Sequence, residues 1–191
     1  MIMEALFTSM GVVAIAEIGD KTQLLSLCLA TRFHKPIPIL CGILAATLAN
    51  HAAAALAGQW LGGFLTPLLL RWVLGFSFLA MAAWALLPDK LDEEEGLRML
   101  RHGAFIGTLV SFFIAEIGDK TQIATMALAA RFDALASVVA GTTAGMMIAN
   151  VPAVLGGQWI ARRFPARVIR YAAAALFLAQ SGLAFAGFTG I

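Results

Sequence analysis

The sequence AEIGDKTQ occupies residues 16–23 and occurs again, unchanged, at residues 115–122. Each copy places three charged side chains inside a stretch that is otherwise apolar enough to span a bilayer. Insertion scales assign about 2.5–3.5 kcal/mol to each such charge at the centre of a membrane helix, or roughly 15–20 kcal/mol for six of them. The stability of a typical domain is only about 5–15 kcal/mol, so a chain that carries this cost twice is expected to use the charges.

The composition of the chain indicates a membrane protein. Of its 191 residues, 61% are hydrophobic and 13% are charged, and the mean hydropathy is +0.88. An ordinary soluble domain carries about 25% charged residues. Apolar stretches of about 20 residues favour helices over the shorter alternating strands of a barrel. We therefore expect an all-α integral membrane fold with six transmembrane helices at residues 4–31, 36–58, 66–87, 103–131, 134–160 and 165–188.

The repetition extends well beyond the eight-residue motif. A shift of 99 residues aligns residues 16–33 with residues 115–132, and 12 of these 18 positions are identical. Each unit contains three predicted helices, and because three is odd, the two units should have inverted topology. The predicted organisation is a first repeat at residues 1–87, a charged linker at residues 88–102 and a second repeat at residues 103–191.

The distribution of basic residues predicts the orientation in the membrane. Nine Lys and Arg residues outside the motifs fall in the loops on one side, against Arg71 and Arg131 on the other. The positive-inside rule therefore places the linker in the cytoplasm and both termini outside. Without a targeting extension, a bacterial plasma membrane is the expected location. The sequence contains no basic patch interleaved with aromatic residues, so a nucleic-acid partner is not expected. It does not predict the oligomeric state.

The acidic residues of the two motifs are the candidate metal ligands. On a continuous helix, Glu and Asp three residues apart and Lys four residues after Glu would project from one face. Four carboxylates meeting at the repeat interface would form an all-oxygen site for a hard divalent cation, and no Cys or His cluster indicates zinc or copper. The predicted ligands are Glu17, Asp20, Glu116 and Asp119, supported by Lys21, Thr22, Gln23, Lys120, Thr121 and Gln122.

Two further pairs of residues are assigned supporting roles. Gly19 and Gly118 remove side-chain bulk between the carboxylates and permit a bend or a close approach of another backbone. The 99-residue shift pairs His51 with Asn150 inside the second and fifth predicted helices. These two side chains would either support the cation or form hydrogen bonds between helices. No catalytic residue and no cofactor is predicted.

The motifs resemble those of the Gdt-type family of manganese/calcium–proton exchangers. That family carries Glu-x-Gly-Asp-Lys/Arg-Ser/Thr once in each of two three-helix halves, and residues 17–22 and 116–121 match every fixed position. The resemblance implies export of Mn2+, or of Ca2+ in some members, from the cytoplasm in exchange for protons. Its partners would then be the divalent cation, protons and the lipid bilayer.

Three other functions remain open from the sequence. Six-helix exporters with paired repeats also carry small amino-acid-like solutes, although symmetric carboxylate pairs favour an ion. A cation channel is a further alternative, but inverted repeats suit alternating access better. A membrane-embedded enzyme could use Glu and Asp as acid and base, yet no nucleophile, cofactor motif or zinc triad accompanies them.

Overall fold

The structure, a computed structural model, describes residues 2–87, 103–156 and 166–187. All regular secondary structure in these ranges is helical. The eight helices are α1 (Ile2–Glu17), α2 (Lys21–Phe33), α3 (Pro36–Gly62), α4 (Pro67–Ala85), α5 (Gly103–Glu116), α6 (Lys120–Phe132), α7 (Leu135–Gly156) and α8 (Ala166–Phe185). The predicted linker at residues 88–102 and the predicted end of the fifth helix at residues 157–160 lie outside the described residues.

The helices predicted at residues 4–31 and 103–131 are wrong as continuous helices, because each is broken inside its motif. Gly19 and Gly118 have φ values of 79° and 73°, in the left-handed region that side chains with a Cβ rarely adopt. The next residue, Asp20 or Asp119, is extended and precedes the first residue of the following helix. α1 and α2 therefore meet at an angle of 70°. Hydropathy alone did not reveal these breaks, because the segments before and after each motif are predominantly apolar.

The predictions for the other four helices agree with the structure to within a few residues at the described ends. Proline stands in the first turn of α3 and of α4, where its missing N–H removes no helical hydrogen bond. The Thr66 hydroxyl accepts a hydrogen bond from the Leu69 N–H at 3.3 Å and so caps α4. α2 and α6 both end at a residue with positive φ, His34 and Asp133, so equivalent helices of the two repeats end in the same way.

The two repeats pack against each other along their central helices. α7 lies along α1, and α3 lies along α5 and α6. The first of these contacts is close, because a Cβ added to Gly145 would lie 2.5 Å from the Met10 carbonyl oxygen. A Cβ on Gly42 would lie 2.8 Å from Thr108 Cβ, so the second contact is equally close. Small residues thus allow the backbones to approach, as in membrane helix pairs.

The third helix of each repeat packs against its counterpart. α4 and α8 are in contact, and the core between them includes Phe78 and Phe177, which are 99 residues apart in sequence. Their rings stack with centroids 6.5 Å apart. A residue in contact with its own equivalent lies close to the axis that relates two copies.

Several helices have the length and composition of membrane spans. Among the described residues, α3, α4 and α7 are each long and apolar enough to cross a bilayer. α1 and α2 pass the same test as one bent pair, and α5 is apolar but only 14 residues long. Within its described ranges the protein is therefore all helical, with the composition of a membrane protein, and three or four segments there are candidate membrane spans.

Candidate cation site

Each motif supplies its side chains from both sides of a helix break. Glu17 is the last residue of α1, Asp20 lies in the break, and Lys21 is the first residue of α2. Glu116, Asp119 and Lys120 occupy the same places at the ends of α5 and α6. The N-termini of α2 and α6 therefore lie next to the Asp carboxylates, and the positive end of a helix attracts negative charge. Broken helices of this kind line sites at membrane depth in transporters.

The glutamine of each motif stabilises the break. The amide oxygen of Gln23 accepts a hydrogen bond from the Gly19 N–H at 2.8 Å, and Gln122 bonds the Gly118 N–H at the same distance. These N–H groups lie at the interruption of the helix, where the side-chain amide supplies an acceptor. The Gln23 amide also donates to the Ala149 carbonyl oxygen of α7 at 3.0 Å. In this structure the glutamines hold the backbone that presents the carboxylates.

The four acidic side chains predicted as ligands are all buried. Glu17 and Glu116 are fully buried, and Asp20 and Asp119 are 1% and 2% exposed. A buried carboxylate requires hydrogen bonds or positive charge to offset its lost hydration. The structure supplies both, and it does so with side chains from the same two motifs.

The lysines form ion pairs that cross between the repeats. Lys21 Nζ lies 2.9 Å from Asp119 Oδ1, and Lys120 Nζ is paired with Asp20 Oδ1. The sequence predicted that Lys21 would lie beside Glu17 on one face of a continuous helix. In the structure the ion pairs are instead formed with the aspartate of the opposite motif, because the helix is broken before each lysine. The contacts are reciprocal, as expected for two copies related by a twofold axis.

The threonines anchor one oxygen of each glutamate. The Thr22 hydroxyl donates to Glu17 Oε2, and the Thr121 hydroxyl donates to Glu116 Oε2 at 3.0 Å. Thr121 also lies 3.3 Å from Asp119 Oδ2. The other oxygens, Oε1 of Glu17 and of Glu116, have no hydrogen-bond partner within the described part of the chain. Each glutamate therefore keeps one buried oxygen available for a ligand.

Three of the predicted ligands come close enough to share one cation. One oxygen each from Glu17, Asp20 and Asp119 lies within 4.8 Å of the other two, and we call these side chains the carboxylate cluster. Oxygens that share an ion at 2.0–2.6 Å lie at most about 5 Å apart, so the spacing suits a divalent cation. Glu116, the fourth predicted ligand, is three residues before Asp119 and is also buried, but it does not belong to this cluster.

His51 and Asn150 occupy equivalent positions with different environments. Asn150 accepts a hydrogen bond from the Ser26 hydroxyl at 2.6 Å and donates to the Met146 carbonyl oxygen at 3.0 Å, so it connects α2 to α7. His51 is fully buried, and neither ring nitrogen has a hydrogen-bond partner among the residues that the structure describes. His51 does not join the group formed by the carboxylate cluster. In this structure Asn150 joins helices, which was the alternative to a supporting role at the cation.

Arg170 is a residue near the site that the sequence analysis did not assign. It lines a cavity of about 10 Å³, large enough for about one water molecule, together with Asp20 and Lys120. Its equivalent in the first repeat, Arg71, instead donates to the Phe185 carbonyl oxygen at the end of α8. The 99-residue shift pairs these two arginines, and this repetition is the feature of the sequence that could have drawn attention to Arg170.

Apolar membrane helices, two helix breaks and buried carboxylates with crossed counter-ions are typical of proteins that carry cations across membranes. Comparisons with known proteins identify the same class of protein. The family described as "Divalent cation/proton antiporter GDT1" matches residues 5–93 and 104–187. The chain belongs to this family, which confirms the resemblance of its motifs, and the family consists of transporters, not enzymes.

Relatives of the chain occur in bacteria and plants. A Vibrio cholerae protein named "Putative manganese exporter" is 54% identical over 178 residues, which cover 93% of this chain and 88% of the relative. A GDT1-like protein of Synechocystis is 30% identical over 185 residues, covering 86% of this chain and 88% of the relative. GDT1-like protein 3 of rice is 27% identical over 206 residues, covering 94% and 73%. No solved structure matches the chain.

Proposed function

We propose that this protein exports Mn2+ from the cytoplasm in exchange for protons, with Ca2+ as a second substrate, by alternating access. The observation that carries the proposal is the carboxylate cluster, because it joins Glu17 and Asp20 of one repeat to Asp119 of the other within 4.8 Å. A site assembled from both repeats changes whenever the repeats move relative to each other. This is the property that alternating access requires.

The ligand chemistry supports a hard divalent cation. The cluster offers carboxylate oxygens, and the hydroxyls of Thr22 and Thr121 lie beside those of Glu17 and Asp119. Such donors suit Mn2+, Ca2+ and Mg2+, whereas Zn2+ and Cu2+ favour imidazole or thiolate. Mn2+ is placed first because the name of the Vibrio cholerae relative refers to manganese export. Glu116 would complete the ligand set through its Oε1, which has no hydrogen-bond partner among the described residues.

The charges of the site support exchange for protons. Four carboxylates and two ammonium groups sum to a charge of −2. One divalent cation or two protons neutralise this charge equally well. An uncompensated charge is costly to move through a low-dielectric barrier, so the empty site should change its orientation least readily. The proposed stoichiometry is therefore one cation for two protons.

The proposed architecture consists of six spans in two inverted repeats, residues 1–87 and 103–191, joined by a cytoplasmic linker. It is supported by the crossed pairs Lys21–Asp119 and Lys120–Asp20. The broken pairs α1–α2 and α5–α6 would each form one span. The distribution of Lys and Arg supports termini outside a bacterial plasma membrane.

Metal-resolved uptake into inside-out vesicles tests the proposal. We expect Mn2+ uptake to be driven by a pH gradient in which the vesicle interior is acidic. Uptake should be lost in Glu17→Gln, which removes the negative charge of a cluster ligand at nearly constant size. Glu4→Gln is the matched control, because Glu4 is an exposed glutamate on the same helix. Uptake that does not depend on the pH gradient would indicate a channel. Full uptake by Glu17→Gln would exclude Glu17 as a ligand.

A further inference from the structure

We propose that Lys21 and Lys120 are internal competitors of the transported cation, each holding a ligand carboxylate of the opposite repeat until the cation displaces it. This inference rests on the proposed function and adds a role for the two lysines. The ammonium groups are paired with Oδ1 of Asp119 and Oδ1 of Asp20. Both of these aspartates belong to the carboxylate cluster.

A divalent cation and an ammonium group compete for these carboxylates. The Lys21 nitrogen lies 2.9 Å from Asp119 Oδ1, and a bound cation would lie about 2.0–2.6 Å from the same carboxylate. The two positive groups would then be a few ångströms apart in a buried region, where repulsion is weakly screened. Binding of the cation therefore favours movement of the ammonium group away from the carboxylate, and loss of the cation allows it to return.

The lysines also explain how a site without a cation remains stable. Three carboxylates within 4.8 Å repel one another and have lost their hydration. Crossed pairing offsets this repulsion and holds the two motifs together when the site is empty. Since each lysine belongs to one repeat and its carboxylate to the other, displacement by a cation also removes two links between the repeats.

The two lysines differ in how easily they can leave. The Lys21 side chain is 24% exposed, whereas the Lys120 side chain is 5% exposed. Lys21 therefore has more room to move its ammonium group away from the cluster, whereas Lys120 has to find a new position inside the protein. We expect Lys21 to leave its carboxylate before Lys120 does. Its displacement should then be detectable as greater accessibility of the Lys21 ammonium group to a labelling reagent.

Calorimetric titration of the purified protein with Mn2+ is the first test. Removing a competitor should strengthen binding, so we expect the Kd of Lys21→Met to fall at least fivefold. Lys35→Met is the matched control, because Lys35 is exposed next to α3, outside the cluster, and its Kd should stay within twofold of the wild type. Weaker or unchanged binding by Lys21→Met would overturn the inference, because it would mean that Lys21 only positions Asp119.

Loss of a positive charge could strengthen binding without displacement, and a labelling experiment on the wild-type protein separates these cases. We expect saturating Mn2+ to increase the rate of acetylation of Lys21 at least threefold relative to Lys35, measured by mass spectrometry. An unchanged or slower rate would overturn the inference even if Lys21→Met binds more tightly. If the wild type binds no Mn2+ at all, the proposed function itself fails, and this outcome is distinct from both others.

Discussion

Replacement of Gly118 by alanine tests whether glycine is required for the break between α5 and α6. Gly118 has a φ of 73°, and a Cβ added there would meet no atom within 4 Å. The substitution therefore causes no clash, and its cost is the strain of an L-residue in the left-handed region, about 1–2 kcal/mol. We expect Gly118→Ala to lower the free energy of unfolding by this amount.

Gly11→Ala is the matched control for this prediction. Gly11 lies inside α1, and a Cβ there also meets no atom within 4 Å, but its backbone is helical. Alanine at such a position stabilises a helix by about 0.5–1 kcal/mol. Reversible denaturant unfolding in mixed micelles measures both variants, and we expect their free energies of unfolding to change in opposite directions. Equal stability of Gly118→Ala and the wild type would refute the reasoning, because the break would then not depend on glycine.

Three further predictions concern packing, hydrogen bonding and proton competition. Ser26→Ala removes the donor to Asn150 Oδ1 and should lower the free energy of unfolding by about 1 kcal/mol, measured in the same micelles. Gly145→Ala should cost about 1–3 kcal/mol because its Cβ would lie 2.5 Å from the Met10 carbonyl oxygen, whereas Gly182→Ala, with no atom within 4 Å, should not destabilise the protein. Mn2+ affinity should fall as pH decreases, because protons compete for the same carboxylates, and a Kd that is constant from pH 8 to pH 6 would contradict this.

The sequence predicted the features that depend on composition and repetition. Membrane helices followed from hydropathy, and the 99-residue duplication identified both motifs and paired His51 with Asn150. The family followed from the fixed positions of the two motifs and was confirmed by comparison. These properties depend on the local composition of the chain, or on the similarity between two of its segments.

The arrangement of the site could not be predicted in the same way. A continuous helix would have placed Lys21 next to Glu17, but the break at Gly19 turns Lys21 towards Asp119 in the other repeat. This pairing depends on how two distant backbones approach each other, and neither motif contains that information by itself. For the same reason, Arg170 was not recognised as a neighbour of Asp20.

The most direct test of the central claim is the number of Mn2+ ions bound per chain, measured by titration of the wild type and of one variant in each repeat. One site formed by both repeats predicts one Mn2+ per chain and at least a tenfold loss of affinity in Asp20→Asn and in Asp119→Asn alike. Two independent Mn2+ ions per chain, or a single-repeat variant that binds as tightly as the wild type, would contradict the claim that one cation is shared between the repeats.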